Sequence, residues 1–383
     1  MEPDFEALRR EFPLLQHMTY LNSGSYCALA KDVKAAFDSY LEDRLQVGAN
    51  WDVWVTKNDA VRDAMARVLG ASSDEIAVTA SASAGLNALA TALQFTGERN
   101  KVVISDFEFP TNAQIWHAQE PRGARVVHVR RDADGYIPPE AFAQHIDEQT
   151  KLVAITHVCF RNGARLDIPG IVRLAREKGA LVLLDCYQSV GSVDIDVKKL
   201  DVDFAVGGML KYLLGTAGIG FLYVRDSLVR ALHPTHSGWF SQENIFAMDI
   251  TANRPAPTAR RFEAGTPPVV SCYASEAGLK ILLGVGTPAI DRRVRALTRR
   301  CMEQLRGIGW ASVTPQQDER HGAMVCVPSR ASTELSQELM KRKIVTSNRD
   351  NNLRICLHFY NNDEDVDALV AALRELRSEF AAH

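Results

Sequence analysis

No apolar run in this sequence approaches the roughly 18 to 20 residues needed to span a bilayer. The opening stretch MEPDFEALRREFPLL is acidic, where a signal peptide would be basic and then apolar. A cytoplasmic protein is the expectation. An excess of one charge is also missing: 44 Lys and Arg against 47 Asp and Glu leave a net charge of −3 over 383 residues. That balance gives no support to a nucleic-acid or membrane partner. Cysteine is sparse and odd in number. Cys27, Cys159, Cys186, Cys272, Cys301, Cys326 and Cys356 are scattered, with no C-x-x-C pair. This spacing argues against a disulfide framework and a structural zinc site, so no metal is expected, and it fits free thiols in a reducing compartment. A cysteine nucleophile stays open. Internal repeats, low-complexity tracts and charged tails are absent.

What is present is a chain with 46% hydrophobic residues, long enough for two domains with sizeable cores. From about residue 76 to 224, seven β-rich runs (EIAVTA, NKVVISD, ARVVHV, KLVAITHV, ALVLLDC, VDFAVGG, IGFLYV) alternate with helix-period segments such as SAGLNALATALQ, TNAQIWHAQE, PPEAFAQHI and IPGIVRLAREKG. Near-continuous apolar strands separated by helices predict an α/β fold with a parallel sheet covered on both faces. Ligands of such sheets bind beyond the carboxyl ends of the strands. After residue 227 the pattern changes. The Pro-rich stretch TANRPAPTARRFEAGTPPVV leads into long helices, then the short strands GAMVCVP and NLRICLHF, then the amphipathic DEDVDALVAALRELRSEF. This predicts a smaller α+β domain.

Several polar residues fall at the ends of the β-runs. Asp185, directly after LVLL, either caps a turn or pairs with a protonated ring nitrogen and so makes a heteroaromatic cofactor an electron sink; Gln188 then lies close by. VTASASAGLNALATAL reads strand, small-residue turn, helix. Its free N–H groups and helix dipole form either a phosphate site, with Ser81 and Ser83 adding hydroxyls, or simply a capped, closely packed helix. Without G-x-G-x-x-G or G-K-[ST] a nucleotide is disfavoured. Phe109, on the short loop of SDFEFPTNAQIW, either joins the core or stacks on a planar cofactor. Lys211 follows Asp185 by 26 residues, in the Gly-flanked turn of VDFAVGGMLKYLLGTAGIGFLYVR. On its own it reads equally as a strand-end lysine with its ammonium in water.

Taken together, these segments resemble fold-type I pyridoxal-phosphate (PLP) enzymes of the class V aminotransferase group, which includes cysteine desulfurases, cystine C–S lyases, kynureninases and isopenicillin N epimerases. The resemblance runs from TYLNSGS to YNNDEDVDALVAAL and is strongest over DCYQSVGSVDIDVKKLDVDFAVGGMLKYLLGTAGIGFLYVR. It implies a mostly parallel seven-stranded sheet in a PLP-binding large domain, 16–260, and a small α+β domain from 1–15 plus 261–383. It implies that Lys211 carries the cofactor and then acts as acid and base at the substrate Cα. Asp185 is implied as partner of the pyridinium, Gln188 as neighbour of the phenolic oxygen, Ala82 and Ser83 as the phosphate turn, and Phe109 as the stacking ring, here kynureninase-like. Thr266, in RRFEAGTPP, is implied to reach the phosphate in the neighbouring subunit, hence a homodimer. Arg354 is implied to fork the α-carboxylate of an amino-acid substrate, with Asn22 and Ser23 near it.

The sequence departs from that group in two places. The segment KIVTSNRDNNLRI lacks the nucleophilic cysteine of the desulfurases, and Cys356, on the strand beyond Arg354, reads as a small buried hydrophobe. Gly208 and Leu210 replace the Ser or Thr and the His with which many relatives hold the phosphate, which leaves backbone N–H groups, Ser83, Thr266 or Tyr273. The overall look, including HSGWFS, is closest to the C–S lyases. A β-elimination releasing sulfur, pyruvate and ammonia is therefore the leading expectation. Transamination, epimerisation, kynureninase-type hydrolysis and an inactive sulfur-trafficking or binding homologue are the alternatives. His157, Arg161 and Asn162 either touch the ligand or close a strand end. Trp51, Trp54, Trp239 and Phe240 either line a pocket or pack, and Cys186 either reacts or packs.

Overall fold

The computed structural model describes residues 3–382. Residues 1, 2 and 383, which the sequence reading counts in the small domain, lie outside the described residues. Twelve strands are numbered in chain order among them: β1 (Thr19–Tyr20), β2 (Ile76–Thr79), β3 (Lys101–Ser105), β4 (Arg125–Val129), β5 (Thr150–Thr156), β6 (Leu181–Asp185), β7 (Phe204–Gly208), β8 (Gly220–Val224), β9 (Met324–Pro328), β10 (Ile344–Val345), β11 (Ser347–Arg349) and β12 (Asn352–Cys356).

The seven runs between 76 and 224 form one sheet of order β2-β8-β7-β6-β5-β3-β4. Strands β3 to β7 pair in parallel, whereas β8 is antiparallel to both β7 and β2. The reversal follows from the connection. Residues 209–219 between β7 and β8 contain no crossover helix, and a parallel return requires one. Strands β2, β3, β7 and β8 are buried at every residue, because helices cover both faces and leave a separate apolar core on each side of the sheet.

Helices Val269–Val285 and Thr287–Gly307 lead into a three-stranded antiparallel sheet of order β11-β12-β9. Helix Asp363–Phe380, capped by Asn362, closes a third core of Val325, Leu353, Ile355, Leu369 and Leu373 with their neighbours. The early chain is tied to this region: β1 pairs with β10, and Phe12 packs on Tyr360 with ring centroids 4.6 Å apart. Among the described residues no single helix is long and apolar enough to cross a membrane.

Candidate active site

A cavity of about 280 Å³ opens beyond the carboxyl ends of the parallel strands, where the fold leads one to look. Its lining includes Ala82, Ser83, Phe109, Asp185, Gln188 and Lys211. A larger cleft of about 710 Å³ lies in the 237–254 loop and shares no residue with it.

Strand β6 delivers Asp185. Its carboxylate is buried and accepts the Tyr187 N–H at 3.0 Å. Burial pushes its pKa up, against that N–H and the charge of Lys211. Lys211 stands in the β7–β8 connection with its Nζ 4.4 Å from the centroid of the Tyr187 ring. Burial pulls its pKa down to about 8; Asp185 opposes the shift and the Arg354 charge adds to it. A substantial share of this amine is therefore neutral near pH 8. Gln188 donates to Gly24 O at 3.0 Å, while its buried Oε1 has no partner among the described residues.

Ser81 caps helix Ala82–Ala92, accepting the Ala84 N–H at 3.1 Å. The first intrahelical bond runs from the Gly85 N–H to Ser81 O, so the N–H groups of Ala82 and Ser83 have no partner within the helix, and both residues line the cavity. Phe109 is held by Pro110 at the start of helix Pro110–His117. Its ring is 44% exposed rather than core, and it meets Phe160 edge-on at 5.1 Å.

In the three-stranded sheet, β12 places Arg354 opposite Ser347 and Cys326. The guanidinium is buried. It donates to Ser347 Oγ, Phe160 O and Ser25 Oγ at 2.9–3.2 Å, and among the described residues it has no carboxylate partner. Ser25 lines the cavity. The Asn22 Oδ1 is buried and unpartnered, and Ser23 instead bonds Tyr360 at 2.6 Å, outside the lining. Thr266 is exposed on the 263–268 loop and borders a separate 70 Å³ recess. Tyr273 lies elsewhere, donating to Asp43 at 2.5 Å.

The residues left open by the sequence fall as follows. Both ring nitrogens of His157 are engaged: Nδ1 with Ser189 and Nε2 as acceptor from Arg165. Asn162 bonds Gly135 O and Ala164 N, and Arg161 lies over Phe160. Cys186 is buried and donates to Val206 O. Trp51 packs on Trp54 and Trp239, and Trp239 on Phe240, away from the cavity lining. Sequence reasoning passed over three residues beside the site: Ser25, Tyr187 and Glu108. The Glu108 carboxyl is buried among Ser105, Asn112 and the Thr156 N–H, and burial raises its pKa to about 8. Only the neighbouring apolar letters of SDFEFP hinted that this glutamate is inside.

Fold and cavity together define a protein of the α/β class built around a lysine whose pKa burial depresses, near enough to the Asp185 carboxylate and the Arg354 guanidinium for both charges to act on it. The aminotransferase class-V family model matches residues 53–369, and the chain belongs to that family. It is 35% identical over 361 residues to an uncharacterized aminotransferase, YcbU, of Bacillus subtilis strain 168, covering 94% of this chain and 95% of that protein. A kynureninase of Burkholderia mallei strain SAVP1 is 29% identical over 361 residues, 90% of this chain and 85% of its own. The fold superposes with a TM-score of 0.87 and 20% identity on the cystine C–S lyase C-DES in complex with its product cysteine persulfide, over 97% of this chain and 100% of that one. A variant of C-DES with glycine covalently linked to the PLP cofactor superposes equally well, at 20% identity over 97% and 99% of the two chains.

Proposed function

We propose that this protein is a PLP-dependent enzyme acting on an α-amino acid, and that its reaction is β-elimination at a C–S bond. The cofactor is pyridoxal 5′-phosphate. The residues present fit it: a partly neutral lysine for its aldehyde, a buried carboxylate for its ring nitrogen, an exposed aromatic ring for its face, free N–H groups for its phosphate, and an orphaned buried amide oxygen on Gln188. When bound, PLP supplies an electron sink for the pair left on the substrate Cα.

The chain's own groups supply the rest. Asp185 would hold the proton on the ring nitrogen. Lys211 would hold the cofactor's aldehyde, and its free Nζ would take the Cα proton of a bound substrate. Arg354 receives the substrate carboxylate, which gives this buried guanidinium the counter-anion it lacks. Loss of the Cα proton to Lys211 would allow the Cβ–S bond to break next, the sulfur leaving with the bonding pair; the enamine left behind, protonated at Cβ, would be hydrolysed by water to pyruvate and ammonia.

The observation that carries elimination over persulfide transfer is the state of the thiols. All seven cysteines are buried, and burial raises the pKa of every one. None lines the cavity, so no thiolate is available to attack a substrate sulfur. Transamination is the second reading, favoured by the likeness to a protein named as an aminotransferase.

Unpaired thiols also support a reducing cytoplasmic setting. A homodimer in which Thr266 serves the neighbouring site is supported by the exposure of Thr266 and of Leu41, Leu45, Met248 and Ile250. Light scattering of the purified protein tests it.

The test of the reaction is an absorption spectrum of wild type and Lys211→Ala with PLP, before and after cystine, with pyruvate assayed in the same samples. A visible-edge band and pyruvate in wild type alone are the expected result. A keto-acid and amino-acid pair instead of pyruvate moves the assignment to transamination, and retained amino acid with changed optical rotation moves it to epimerisation.

A further inference from the structure

Gly208 and Gly220 oppose each other across the antiparallel pair β7 and β8. Neither position has room for a side chain. A Cβ on Gly208 would stand 2.2 Å from the hydroxyl oxygen of Tyr187, and one on Gly220 would stand 2.6 Å from the backbone N of Ala82. Directly opposed residues send their Cβ positions to the same face of a sheet, about 4.5–5.5 Å apart. The Tyr187 phenol and the first N–H of helix Ala82–Ala92 therefore rest side by side on a floor of two glycines, and Tyr187, Ala82 and Ser83 line the same cavity.

Three further facts bear on the phenol. Among the described residues its hydroxyl makes no hydrogen bond, although its backbone N–H does. Burial, with help from Asp185, raises its pKa to about 12, so it keeps its proton at neutral pH. Its ring lies 4.4 Å from the Lys211 Nζ, and its hydroxyl occupies the space over Gly208. A protonated, unpaired phenol beside free helix N-terminal N–H groups is a site for a phosphate oxygen.

We propose that the Tyr187 hydroxyl donates a hydrogen bond to the phosphate of the cofactor alongside the N–H groups of Ala82 and Ser83, and that residue 208 is glycine because this phenol occupies its side-chain space. The inference rests on the reading that PLP occupies the cavity.

The test is a spectroscopic and fluorescence titration of apoprotein with PLP and, separately, with pyridoxal, which lacks the phosphate. Wild type and Tyr187→Phe are compared, and the 31P resonance of bound PLP is recorded for each. The expected result is a loss of PLP affinity in Tyr187→Phe of about 10- to 100-fold, the range of a hydrogen bond to a charged group. Pyridoxal affinity should stay within about twofold, and the 31P resonance should move. Equal weakening toward both ligands would overturn the proposal, because Tyr187 would then be supporting Lys211 only. Unchanged PLP affinity would overturn it as well. Should Tyr187→Phe not fold, Tyr187→Ala compared with Tyr187→Ala/Gly208→Ser decides: the serine returns a hydroxyl to the emptied space and should recover PLP affinity, and no recovery counts against the proposal. If wild type takes up neither ligand, it is the cofactor reading that has failed, a result separable from any effect at Tyr187.

Discussion

Two arginines in this molecule are equally buried and surrounded very differently. Arg62, beneath the end of β2, donates to Glu263 at 2.5 Å and to Asp59 at 3.3 Å, and Glu263 also accepts the Val78 N–H. Burial pulls its pKa down, but the two carboxylates outweigh that and hold it above the ordinary arginine value. Arg354, on β12, has two serine hydroxyls and one carbonyl. Arg261, also buried, is compensated instead by the carbonyls of Ala256, Val229 and Leu232, a closed set of main-chain dipoles. Arg354 differs in touching a residue of the cavity wall. A buried charge is tolerated when it is compensated; at Arg62 the compensation is built into the fold, and at Arg354 the proposed substrate carboxylate would supply it.

Arg62→Met should give the largest effect. It strands Glu263, and denaturant unfolding of the apoprotein should show a loss of about 3–5 kcal/mol. Arg354→Gln should reverse the pattern: stability within about 1 kcal/mol of wild type, but substrate KM raised roughly 10- to 100-fold, as for loss of a charged hydrogen bond. A destabilisation matching that of Arg62→Met would make Arg354 a structural residue and end the contrast.

Glu108 extends the comparison to the opposite charge. Buried Asp203 has Arg176 and Arg225 as partners, whereas Glu108 has only neutral donors. With its pKa raised from 4.5 to about 8, the folded state keeps a proton that the unfolded chain releases. Its contribution to stability is therefore complete below pH 4.5 and is lost as the pH rises toward 8. Glu108→Gln should gain on wild type through that window, by up to about 1.4 kcal/mol per pH unit. Parallel pH profiles for the two proteins would show that Glu108 is already ionised. The smallest effect concerns rate: PLP uptake by the apoprotein should rise with pH around a midpoint near 8, following the neutral amine of Lys211, and a midpoint near 10.5 would mean that burial does not tune it.

Much of the fold was legible because period and length are local properties. Each of the seven apolar runs is a strand of the large sheet, and the amphipathic stretch DEDVDALVAALRELRSEF is the helix Asp363–Phe380. The small sheet was legible in β9 and β12, which carry apolar runs, and not in β11, whose residues Ser347–Arg349 are held by pairing with β12 rather than by any preference of their own. Around the cavity, Lys211, Asp185 and Phe109 stand at strand ends that could be seen in the sequence. Ser25 and Tyr187 could not be singled out, because Ser25 matters only through Arg354, 329 residues away, and Tyr187 only through the side-chain space that Gly208 leaves open.

The sequence by itself therefore determined the alternation of strands and helices, the edge of the sheet where chemistry would gather, and the residue types available there. Tertiary structure decided which of those residues meet. It reversed β8, brought β12 up to Ser25 in the cavity wall, left Arg354 without a carboxylate among the described residues, and set the Tyr187 hydroxyl against Gly208. The physical reason is that burial and periodicity are written into neighbouring residues, whereas the charge balance and the free space at a site depend on groups hundreds of residues apart, which only packing brings within hydrogen-bonding distance.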